Sequence, residues 1–374
     1  MKVTAHPLPE VFARKHGRLD AAGLRAITHD ASRHEEWIST TTTLWNPGDR
    51  LVYVGLTQRD GDILYAFDPK TGRATCLDYL SVRVAEEVKV HRSLQSAPDG
   101  RIFGASAGLI TIRTREEAPG GQIWSYDPRT RRYEVYGIPA PHDYVQHVAV
   151  DVKRQMAYGC TYPVPWFFAF DLKARTTRRR AFIGCYPHRS AIDDRGRVWS
   201  GWSPSADTTS GEDFLLSYDP DADRLTYHDL QLPGVGQNDR KQIDDMINLG
   251  DGYMYISSVN GGLSRLDPEK GKVEWLGKPA RGMRLCGIAE GPDGLVYLLT
   301  GAFYGMKGDD AATHAWTLDR RTGRFADLGP IFDPDFGDGC AVVHHLSIGA
   351  DGTLWVGETD NPNRSGCLWE CRVS

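Results

Sequence analysis

Short runs in which apolar and polar positions alternate, each closed by a turn, fill the chain from end to end. That period belongs to β-strands rather than helices. The run His91-Arg92-Ser93-Leu94-Gln95-Ser96-Ala97-Pro98-Asp99-Gly100-Arg101-Ile102-Phe103-Gly104 reads as polar head, short strand, Asp-Gly turn and apolar strand. It returns, one residue shorter, from His188 to Trp199. Looser copies run from His147 to Tyr158, Met246 to Tyr255, Cys286 to Tyr297 and His344 to Trp355. A second unit is an apolar strand ending in aspartate and a turn, as in Ile63-Leu64-Tyr65-Ala66-Phe67-Asp68-Pro69. Its aspartates are Asp68, Asp127, Asp171, Asp219, Asp267 and Asp319, spaced by 59, 44, 48, 48 and 52 residues. Cys367-Leu368-Trp369-Glu370 is a truncated seventh copy.

Four short strands per repeat and seven repeats predict an all-β fold, a seven-bladed β-propeller with four-stranded antiparallel blades. The blades fall at 37–80, 86–137, 144–182, 187–231, 241–277, 283–328 and 340–373, in one domain over residues 1–374. The last copy lacks its fourth strand, and a closed ring leaves no edge bare. The segment around Val11 to Gly17 is expected to supply that strand and join the termini in the last blade.

Composition narrows the function. A net charge of -5 and the absence of a long basic run exclude a nucleic-acid footprint. The cluster Arg175 to Arg180 reads as a solvated outer strand. No segment could span a bilayer, and Met1 to Arg14 lacks the apolar core of a signal peptide, so a cytoplasmic location is expected, or a secreted one if a leader was trimmed. Seven scattered cysteines, an odd number, read as buried thiols of an intracellular protein.

In a propeller the heads of the inner strands meet around the axis on one face. Here they carry His91 with Arg92, His147, His188 with Arg189, Asp244 with Asp245, Arg284 near Cys286, and His344 with His345. The loops on that face add Tyr162, Trp166, Trp202, Asn260, Tyr304 and the stretch Glu358 to Asn361, and Arg240 enters from above. Long loops, Ala107 to Gly121 and Gly301 to His314, suit binding walls. Aromatic rings beside cations and amides suit an anionic sugar, with Arg92, Trp166, Trp202, Arg240, Asn260, Arg284 and Tyr304 as substrate-binding candidates. Strand alternation leaves open which imidazoles face the channel.

Three kinds of chemistry fit such a face. A lyase would take the proton beside a uronate carboxylate and expel the O4 substituent. His91, His147 or His188 would be the base, Tyr162 the acid, and Arg189 or Arg240 the neutraliser. Alternatively, His91, His147, His188 and His344 would hold a divalent metal ion for a hydrolase or lactonase; no other cofactor is suggested. Third, the face would bind a sugar or protein without breaking a bond. The Cys185-x-x-His188 spacing has no matching pair to complete a zinc motif.

Blade heads of the form Val90-His91-Arg92-Ser93, followed by Pro98-Asp99-Gly100-Arg101-Ile102-Phe103, resemble those of the seven-bladed propeller polysaccharide lyases typified by ulvan lyases. That resemblance implies a propeller cleaving a uronic-acid-containing oligo- or polysaccharide by β-elimination. By blade position it places the family's histidines, tyrosine and carboxylate-neutralising arginine at His91, His147, Tyr162 and Arg189. The absence of an export signal implies an oligosaccharide substrate inside the cell. Gluconolactonase-like propellers share the architecture, but their carboxylate-and-asparagine metal set is not recognisable here.

Overall fold

The computed structural model describes residues 1–204, 214–233, 242–280, 283–301 and 312–373. Seven four-stranded antiparallel sheets are arranged as blades in a ring. Their inner strands are Ser39–Asn46, Gln95–Ser96, Tyr144–Asp151, Ala191–Ile192, Ile243–Asn248, Arg284–Glu290 and Val342–Ile348. Among the described residues, no helix is long and apolar enough to cross a membrane.

The two repeated turns do the same work in each copy. Asp68, Asp127, Asp171, Asp219, Asp267 and Asp319 each accept the backbone N–H two residues on, at 2.9–3.1 Å. These are Asx turns, in which the carboxylate replaces a backbone acceptor. At the opposite turn Asp99, Asp251, Asp293 and Asp351 do likewise. The glycines that follow them have φ of 77–87°, a region closed to most side chains.

The ring closes in the last blade, though not with the segment expected. Lys2–His6 pairs with Leu368–Arg372, Lys2 opposite Arg372 and His6 opposite Leu368. Val11 to Gly17 is helical instead: Pro9–Phe12 is a 3-10 turn and Ala13–His16 one turn of α-helix. Pro9 fixes φ and lacks an N–H, so it suits a helix start better than a paired strand. Val11 and Phe12 are buried against Val52, Val54, Tyr65 and Phe67 of blade 1. Thus the apolar residues that suggested a strand serve as packing. The helix Ala21–His29, capped by the Asp20 carboxylate on the Gly23 N–H at 2.8 Å, adds Ile27 to the same core.

Packing between blades is apolar and close. A Cβ added at Gly55 in blade 1 would sit 2.8 Å from the Val90 Cβ in blade 2. All seven cysteines are free; six are buried and Cys76 is exposed.

Candidate functional site

Inner strands position the site by breaking their own alternation. Five of them carry an extra residue at equivalent places: Thr41, Gln146, Asp244, Cys286 and His344. A β-bulge sets two residues against one partner and redirects the chain's side chains. Asp244 and Asp245, and His344 and His345, thereby both join the axial network rather than pointing to opposite faces. In blades 2 and 4 the paired inner strands are short, and His91-Arg92 and His188-Arg189 precede them. Arg92 adopts φ of 44°, an uncommon conformation for a side-chain-bearing residue.

Asp244, wholly buried, is the hub. Arg284 holds it bidentately, Nε to Oδ2 at 2.9 Å and Nη2 to Oδ1 at 2.8 Å. Arg92 crosses the axis from blade 2, its Nη2 2.8 Å from Oδ1 and its Nη1 donating to the Asp244 carbonyl. His188 Nδ1 donates to Oδ1 at 2.9 Å. Burial alone would raise the Asp244 pKa, but Arg284, Arg92 and His188 hold it well below the usual range. A second span lies beside the first. Arg189 from blade 4 places Nε 3.3 Å from Asp245 Oδ1, and its Nη1 donates to His345 Nε2 in blade 7. Burial raises the Asp245 pKa despite Arg189 and Arg92.

The imidazoles of His91, His188 and His344 form a triangle. Ring centroids are 6.1 Å apart for His91–His188, 5.2 Å for His91–His344 and 6.4 Å for His188–His344. Partners fix the tautomers. His91 Nδ1 donates to the Gln146 carbonyl at 2.7 Å, and His188 Nδ1 to Asp244, so each neutral ring keeps its lone pair on Nε2. Neither Nε2 has a hydrogen-bond partner among the described residues. His147 stands apart: Ser190 donates to Ser200 at 2.7 Å and accepts from His147 Nε2 at 2.8 Å, leaving His147 Nδ1 unpartnered. The Gln146 side-chain oxygen and His344 Nδ1 are also buried without partners. Such orphans are sites for water or ligand.

Every one of these rings is held neutral. Burial is the main cause throughout, with nearby cations adding to it. It pushes His147 down to about 3 and His188 to about 4, and His91, His344 and His345 well below 6.5. These pKa values lie below the unfolded value, so the unfolded chain binds more protons between about pH 4 and 6.5. The stability they contribute is complete above about 6.5 and is lost as pH falls through that window. Melting temperature should therefore drop on acidification from about pH 6.5 to 4, and His147→Gln should flatten the slope. A melting temperature flat across the window would contradict the buried neutral rings.

Other sequence candidates fall elsewhere. Arg92 and Arg284 belong to the network but are committed to Asp244. Tyr162 sits half-buried at the top of blade 3 in a tyrosine group, its ring centroid 5.1 Å from those of Tyr144 and Tyr186. No hydrogen bond or ring contact joins it to the imidazoles among the described residues. Trp166 opens the third strand of blade 3, and Trp202 ends the second strand of blade 4 with its side chain over the two outer strands. Trp166 contacts Phe182, and Trp202 donates to the Leu215 and His228 carbonyls. Asn260 is spent on its own turn, accepting from Gly262 N–H at 3.0 Å. Arg240 and Tyr304 lie outside the described residues. Glu358 is an internal structural carboxylate. The four-histidine metal set is not assembled: among the described residues, no three His, Cys, Asp or Glu side chains are placed to hold a metal ion. A groove of about 670 Å³ beside Pro9, Glu10, Arg18 and Arg73 contains none of the imidazoles.

Sequence reasoning missed Lys89 and Gln146. Lys89, two residues before His91, is partly buried, and its pKa is lowered by burial and by Arg92. Its backbone bridges Thr57 of blade 1 and Ala107 of blade 2. The bulge alone brings Gln146 into play, and nothing in the residue types announces a bulge. Around the imidazoles, then, Lys89, Arg92, Arg189 and Arg284 meet Asp244 and Asp245 among the described residues, with Asp360 acting on Lys89 from nearby.

No family model and no curated protein sequence matches this chain. Similar solved structures come from B. thetaiotaomicron. The extracellular domain of BT4673, a candidate one-component system, has a TM-score of 0.59 at 12% identity. It covers 89% of this chain, which spans 38% of that one. The extracellular domain of BT3049, a candidate hybrid two-component system, has a TM-score of 0.58 at 13% identity and covers 90% of this chain, which spans 40% of it. At such identity the likeness establishes the propeller fold alone.

Proposed function

We propose that the protein is a carbon–oxygen lyase that cleaves a uronic-acid-containing oligo- or polysaccharide by β-elimination. The observation that carries this reading is the triangle of neutral imidazoles beside an excess of cations. Four basic side chains against Asp244, Asp245 and the Asp360 near Lys89 favour an anionic guest, and lone pairs on Nε2 supply a base.

His188 is the base in this reading. Its Nδ1–H is oriented by Asp244 as a carboxylate orients the histidine of a catalytic triad. Its side chain, 18% exposed, remains reachable. Arg189, with a side chain 24% exposed, neutralises the uronate carboxylate as negative charge develops on it. His188 Nε2 takes the proton on C5, the C5–H electron pair becomes the C4–C5 double bond, and the C4–O4 bond breaks. Tyr162 at the rim gives its proton to the departing O4. The low basicity of His188 rises when the guest's carboxylate arrives, because a nearby negative charge favours the imidazolium.

The test is the ultraviolet absorbance of the unsaturated uronate formed from polygalacturonate, alginate and ulvan oligosaccharides. Absorbance should rise with the native protein on at least one of them and not with Arg189→Ala. No rise on any, or full activity of Arg189→Ala, would overturn this assignment. A binding role without bond cleavage is the second reading, favoured by a His188 pKa pushed down to about 4. The solved neighbours, extracellular domains of signalling proteins, are compatible with it. Saturable binding of an oligosaccharide without turnover would select it.

A further inference from the structure

Outside the channel, a cleft of about 500 Å³ opens between blades 2 and 3 at the outer edge of the ring. Ile138, Pro139, Pro141 and Phe170 form its apolar part, and Arg175 and Arg180 its charged part. The outer strand Thr176–Phe182 alternates exposed and half-buried positions, which leaves Arg178, Arg180 and Phe182 facing solvent. The Arg180 guanidinium lies 5.0 Å over the Trp166 ring. Among the described residues no hydrogen bond or ion pair holds it, whereas Arg175 and Arg179 are paired with Glu134 and Asp223. Phe182 meets Trp166 edge-on at 5.7 Å and is still 47% exposed. Beyond Phe182, Tyr227 is 45% exposed, its hydroxyl 3.4 Å from the Phe182 carbonyl. Such large apolar side chains on a surface mark contact sites when they cluster beside a free charge.

We propose that this cleft is a second, non-catalytic binding site for an acidic polysaccharide. Arg180 pairs with a sugar carboxylate there, and the exposed face of Phe182 covers the apolar side of a sugar ring. The site rests on the acidic-carbohydrate reading of the channel mouth, but uses none of its residues. It would hold a long chain to the protein while a different stretch reaches the imidazoles.

Electrophoresis of the full-length protein through gels containing polygalacturonate or alginate tests this. The native protein should be retarded by at least one polymer. Arg180→Ala with Phe182→Ala should weaken that retardation roughly fivefold or more, as expected from losing one ion pair and one ring contact. Arg189→Ala should leave it largely intact. Retardation kept by the double variant, absent from the native protein with both polymers, or lost equally in Arg321→Ala on a remote exposed turn would overturn the proposal. Retardation lost only in the double variant, with no turnover by the native protein, would keep this site and remove the lyase.

Discussion

Replacing His188 by alanine is expected to lower kcat/KM by about 10²–10⁴-fold, the usual share of a positioned general base. The fold should survive, because the ring is partly exposed and leaves Asp244 with both arginines. Asp244→Asn should do more. It removes the charge that Arg92 and Arg284 share and strands two buried guanidinium groups. Breaking a buried pair in this way costs about 3–5 kcal/mol. It should also shift the acidic limb of the kcat/KM profile, which a packing role alone would not move. Turnover measured with denaturant unfolding separates the two effects. Full turnover by His188→Ala would remove it as the base, and an unchanged unfolding midpoint for Asp244→Asn would contradict the hub.

A comparable loss of stability, about 3–5 kcal/mol, is expected for Arg364→Ala in the last blade. Glu358 is fully buried and accepts from the Ala341 and Cys367 N–H groups, Asn361, Trp369 and both Nη atoms of Arg364, at 2.6–3.1 Å. Without Arg364 its charge has hydrogen bonds but no counter-ion. Glu358→Gln combined with Arg364→Met removes both charges and should lose less than Arg364→Ala alone. Urea unfolding midpoints of the two variants decide it. Equal or reversed losses would show that the pair is not what stabilises this corner.

Blade number and turn chemistry were legible because each repeat restates them. Six aspartates in register, each followed by its turn, are a signal that one copy could not give. The closing strand was less legible. Lys2–His6 is short and modestly apolar, while Val11 and Phe12 are strongly apolar but serve a helical segment. At the site, residue types were readable and directions were not. His91, His188 and His344 meet as expected, yet His147 turns to Ser190. A single extra residue in five of the inner strands decides such directions there, and no composition signals it. Trp166 and Trp202 follow from the same difficulty. Their blades are correct, but Trp166 opens the third strand of blade 3 and packs on Phe182, and Trp202 closes the second strand of blade 4 with its ring turned over the two outer strands. Lys89 escaped notice because its charge belongs to no repeat.

The two arginine spans have a consequence for traffic. Arg92 reaches from blade 2 to blade 5 and Arg189 from blade 4 to blade 7. Together they place two guanidinium groups across the axis of the ring. In the proposed lyase a polymer would not be clipped as it threaded through the ring, and guest and product would share one doorway. Each cut in that lyase would be followed by backing out, and successive cuts on one strand would require a fresh approach.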